Sequence, residues 1–87
     1  MVKYTGKDGS SLNSAVRIEE AENESAGIAA EYAWLAQKFG VQGKDWTLIM
    51  QALMQDKGRS YDMMSVKLAD GTEKTVYFDI TDFFGKM

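Results

Sequence analysis

The stretch that decides the fold is Tyr61-Asp62-Met63-Met64-Ser65-Val66-Lys67-Leu68-Ala69-Asp70-Gly71-Thr72-Glu73-Lys74-Thr75-Val76-Tyr77-Phe78-Asp79-Ile80. Met64, Val66 and Leu68 alternate with polar neighbours, Asp70-Gly71 supplies the positive φ angles of a tight turn, and Val76, Phe78 and Ile80 alternate again. The pattern is a β-hairpin. Upstream, Asp56-Lys57-Gly58-Arg59 reads as a second turn, so residues 46–55 are expected to form a strand along the hairpin's edge. Trp46, Ile49, Met50 and Leu53 also fit one side of a helix. As a strand, the segment presents Trp46, Leu48, Met50, Ala52 and Met54 on one face, with Ile49 and Leu53 on the other.

Further upstream, Asn23 is a natural N-cap for a helix over Glu24–Phe39, and Gly40 a natural stop. Ile28, Tyr32, Leu35 and Phe39 share one helical stripe and are expected to face the core. Val16 and Ile18 alternate within a short first strand over residues 15–19. Residues 1–13, rich in Gly, Ser, Lys and Asp, read as a mobile or irregular arm. Thr81-Asp82-Phe83-Phe84-Gly85 reads as a turn or one helical turn, its phenylalanines closing an end of the core. The order β-α-β-β-β predicts an α+β two-layer sandwich, an antiparallel sheet with one helix on one face, in a single domain over residues 1–87. The partner of the first strand is left open.

Composition narrows the chemistry. Eighty-seven residues, 45% apolar and 26% charged, suit one domain with one core. Histidine and cysteine are both absent, which removes the commonest general base, thiol catalysis and the usual zinc or iron ligands. No cofactor, no metal and no catalytic residue is expected. A formal net charge of −3 argues against nucleic acid as a partner. The α-β-β-β portion resembles a double-stranded-RNA-binding domain but lacks its basic second helix and basic loops. Glu19, Glu20, Glu22, Glu24 and Glu31 form an acidic run, read as a solvated helix start or as a docking surface for a basic partner. With neither a signal-like apolar core nor a membrane-length run, the expectation is a soluble cytoplasmic protein with no membrane partner.

Trp46-x-Leu48, Tyr61-Asp62, Leu68-x-Asp70-Gly71, the segment from Tyr77 to Lys86, and Glu31-Tyr32-Ala33-Trp34-Leu35 are together similar to a group of small bacterial open reading frames. The likeness spans residues 9–86. It implies a bacterial or phage source and a self-contained domain, and it attaches no activity or site residue.

Asp79-x-x-Asp82 is the only acidic pair beside aromatics, and it reads as turn and cap chemistry rather than as a cation or acid–base site. Aromatic and apolar excess is more informative. Trp34 lies about 120° around the helix from the Ile28 stripe, at 100° per residue, so it either tucks against the arm or is exposed. One helix covers one sheet face, so Ile49, Leu53, Tyr61, Met63 and Tyr77 are expected together on the other. With Trp34 as a second anchor, that face is read as a contact surface for a protein partner or for a second copy in a homodimer, against a merely solvated face. The alternative is a small-molecule or peptide cleft between helix and sheet, lined by Tyr32, Trp46 and Phe78.

Overall fold

The computed structural model describes residues 2–85; Met1 of the expected arm, Lys86 of the quoted terminal segment and Met87 lie outside the described residues. The hairpin is present as β4 (Arg59–Leu68) and β5 (Glu73–Asp79), with the Thr72 amide donating to Asp70 Oδ1 across the turn at 2.9 Å. Trp46–Asp56 is a strand, β3, paired antiparallel with β4 from Trp46↔Leu68 to Asp56↔Arg59. Strand wins over helix here because Lys57 and Gly58, at φ 52° and 79°, make the two-residue turn that feeds β3 directly into β4.

The N-terminal region departs from expectation. Lys3–Gly6 forms β1 instead of an irregular arm, pairing antiparallel with β2 (Val16–Glu19). Its stability is non-local: Tyr4 Oη donates to the Ala30 carbonyl at 2.7 Å, a contact that the composition of residues 1–13 does not reveal. A short 3₁₀ turn, Leu12–Ser14, leads into β2. β2 then pairs in parallel with β5 through Val16↔Phe78 and Arg17↔Asp79. Among the described residues the sheet is therefore five-stranded and mixed, in the order β1-β2-β5-β4-β3, rather than wholly antiparallel. The α+β two-layer class holds.

Helix α1 (Glu24–Phe39) starts where Asn23 Oδ1 accepts the Ala26 amide at 2.8 Å. Its buried residues are Gly27, Ala30, Glu31 and Leu35; of the expected stripe, Leu35 is buried and Tyr32 and Phe39 pack against the core, whereas Ile28 is exposed, so the buried face is turned partly toward Gly27 and Ala30. Close packing explains the rotation. The Phe83 ring sits against Gly27, Trp34 meets Phe78 edge-on with centroids 5.5 Å apart, and Tyr32 stacks beside Trp46 at 6.5 Å. Val16, Ile18, Leu35, Met64, Val66 and Phe78 fill the space between helix and sheet, each at most 1% exposed. Phe83 closes one end of this core as expected, whereas Phe84 is exposed.

Candidate functional site

Side chains two apart on a strand share a face, so cross-strand register assigns each residue to the helix side or to the open side of the sheet. Ser60, Asp62, Met64 and Val66 of β4 and Val76 and Phe78 of β5 are buried under α1. Tyr61, Met63 and Tyr77 therefore lie on the open side, where they were expected. On β3 the outcome differs. The register shifts between Leu48 and Met50, a β-bulge that inserts Ile49 and reverses the alternation beyond it. Trp46 and Leu48 face the helix, while Met50, Ala52 and Met54 face the open side, opposite Ser65, Met63 and Tyr61.

Leu53 is thus a correction. It stands opposite buried Asp62, on the helix side, and is not a neighbour of Tyr61 and Met63. At 55% exposed it lies along the rim that the helix does not reach. Ile49, the bulge residue, is 49% exposed and Met50 54%. Trp34 is half-buried against Phe78, on the opposite side of the sheet from Tyr61 and Tyr77, so it forms no common surface with them.

Two rows cross the open face: Ala52, Met63 and Tyr77, and beside them Met54, Tyr61 and Asp79. The apolar belt ends at a charged strip. Arg59 Nε donates to Asp79 Oδ2 at 2.6 Å, and Arg17 pairs with Asp82 at 3.4 Å. Burial works against ionisation of Asp79, yet hydrogen bonds from Arg59 and Thr81 hold its carboxyl below the ordinary range. Asp79 accepts from the amide and hydroxyl of Thr81, the turn chemistry read from the spacing, while Asp82 pairs with Arg17 instead of capping a helical turn.

A second polar cluster lies under the helix. Glu31, counted above with the solvated acids, is fully buried, and among the described residues neither of its oxygens meets a hydrogen-bond donor. Burial first, then the hydrogen bond that a protonated Glu31 can donate to the Asp62 carboxylate and the like charge of that carboxylate, push its carboxyl up to about 10. Gln51 Nε2 donates to Asp62 Oδ2 at 2.8 Å. No signal in the helix pattern marks Glu31 as buried; only the position of Gly27 and Ala30 on the same stripe hints at it.

The expected ligand cleft is not where the sequence suggested. Trp46 and Phe78 are packed away from solvent. A shallow cleft of about 200 Å³ opens instead beside Trp34, between Asp8 and Ser10 of the lead-in, Lys38, Lys74 and Thr75. Among the described residues no group of three acidic, histidine or cysteine side chains is placed to hold a metal ion, and no helix is long and apolar enough to cross a membrane.

These features define a small α+β domain with one uncovered, partly apolar sheet face. Comparison with protein-family models, curated proteins and solved structures finds no match.

Proposed function

We propose that this domain is a non-enzymatic protein-interaction module whose working surface is the open face over β3, β4 and β5. The observation that carries the reading is the row Ala52–Met63–Tyr77, flanked by Met50, Met54 and Tyr61. α1 lies on the other side of the sheet. Phe83 of the C-terminal turn packs on Gly27 of that helix, and Gly9 of the lead-in packs on Val76 and Val16. An apolar belt bounded by ion pairs matches the usual layout of a protein interface, with an apolar centre and a polar rim. Absence of histidine and cysteine, and the engagement of Asp79 and Asp82 in ion pairs, support a binding role over catalysis.

The test is affinity capture from bacterial lysate with the native chain and with a Met63→Lys, Tyr77→Lys variant of unchanged melting temperature. A partner retained by the first and lost by the second supports the reading. Identical retention by both sets the open face aside.

A further inference from the structure

We propose that β3 is a dimerisation edge, along which a second copy of this chain adds antiparallel, β3 to β3, to form one continuous sheet. This goes beyond the open-face reading, because it concerns the edge of the sheet rather than its face, and its failure leaves that reading standing. β3 is the terminal strand of the sheet and has 11 residues, at most roughly 34 Å end to end at about 3.4 Å per step. Its outer side presents backbone N–H and C=O groups that no strand among the described residues pairs. Among the described residues only its first residue is occupied there, where the Gly43 amide donates to the Trp46 carbonyl at 2.6 Å.

Proteins guard such edges with charge, proline, brevity or bulges. The opposite edge, β1, has 4 residues and carries Lys3, paired with Glu20 at 3.7 Å. From Thr47 to Gln55, β3 carries neither a charge nor a proline. Its single irregularity is the bulge at Ile49, after which Met50–Asp56 runs in regular register. Exposed apolar side chains project on both sides of this edge, Met50 toward the open face and Leu53 toward the helix side, so a strand laid alongside covers both.

Charge selects a second copy over other occupants. Each chain carries −3 overall, and the neutral segment is where two such chains meet without opposing like charges. A two-fold axis normal to the sheet sets residues 47–55 against themselves, so apolar side chains meet apolar or amide side chains whichever residue lies on the axis. A charged peptide finds no counter-charge there. The same axis leaves both α1 helices on one side and joins the two open-face belts through Met50, Ala52 and Met54.

The chain has no cysteine, so single-cysteine variants report the seam directly. Gln51→Cys, Ala52→Cys, Leu53→Cys and Met54→Cys, each made in the full chain and mildly oxidised, are expected to cross-link at one or two neighbouring positions around the axis. Thr5→Cys, on the opposite edge, is expected not to cross-link. Sedimentation equilibrium of the native chain should give a dimer at a concentration on the order of 100 μM, and Leu53→Lys should weaken it by about tenfold or more. Met63→Lys, in a central strand, should leave it intact. A monomeric native chain, or cross-linking at Thr5→Cys alone, overturns the edge dimer and leaves the open-face reading to its capture experiment. Loss of the dimer in Met63→Lys but not in Leu53→Lys also overturns the edge and supports association through the face. An extended peptide that binds monomeric chain and is displaced by Leu53→Lys overturns the choice of a second copy.

Discussion

The ring of Phe83 lies directly against Gly27, so close that a Cβ on that glycine would sit 2.5 Å from three ring carbons. Gly27→Ala raises intrinsic helix propensity by about 1 kcal/mol, yet it drives a methyl into a ring that is 2% exposed. The clash dominates. Net destabilisation of about 1–3 kcal/mol is expected in urea unfolding, partly recovered when Gly27→Ala is combined with Phe83→Leu. Simple stabilisation by Gly27→Ala would show that the ring moves aside freely.

Glu31 gives the fold a pH dependence of definite sign. Below its ordinary value of 4.5 both folded and unfolded chains hold the proton, and the group contributes no slope. Between 4.5 and about 10 the unfolded chain has released the proton while the native chain keeps it, so stability falls as pH rises. The limiting slope is about 1.4 kcal/mol per pH unit. Glu31→Gln removes the ionisation and offers Asp62 an amide donor. It should stabilise the protein by up to about 5 kcal/mol near pH 8, the limiting slope acting over the interval above 4.5, and by little near pH 4.5, measured as paired urea titrations. An equal effect at both pH values would mean that Glu31 is ionised in the fold.

Face assignments on the hairpin make a sharp contrast. Phe78→Asp or Val66→Asp places a carboxylate among side chains with no exposure, at a cost of several kcal/mol, comparable to the stability of a domain this small. Lys67→Asp, on the exposed side, should change stability by less than about 0.5 kcal/mol. Circular dichroism melts should show no cooperative transition for the first two and a native-like one for the third.

Replacing Ile49 and Met63 together by Lys tests whether the open face is needed for the monomer fold. Ile49 is half exposed and Met63 half-buried on a face that α1 does not cover, so the melting temperature should shift by no more than a few degrees. A large drop would show that the face is covered within the monomer.

The hairpin at 59–79 was legible because alternation and turn chemistry agree there, and Asn23 and Gly40 marked the helix ends by local rules. What local rules miss is parity and distance. One inserted residue, Ile49, exchanges the two faces of β3, so the pattern placed Tyr61, Met63 and Tyr77 on the open face where they lie, and put Leu53 there in place of Met50, Ala52 and Met54. On α1, apolarity pointed to Ile28, whereas small Gly27 and Ala30 form the contact because Phe83 and Tyr4, far away in sequence, pack against them. Glu31 was counted with its acidic neighbours. Its burial follows from standing between those two residues and Leu35 on one helical face.

The parallel junction of β2 with β5 sets an order of assembly. β3, β4 and β5 close through short turns and can form from nearby contacts, whereas β2 finds its partner only in β5, far along the chain. Two registered pairs, Val16↔Phe78 and Arg17↔Asp79, hold the seam. During synthesis the strand pair made first must therefore wait until Phe78 and Asp79 have left the ribosome before it can dock. Once docked, that same pair is the unit held by the shortest ladder, and its amides should be the earliest in the sheet to exchange with solvent.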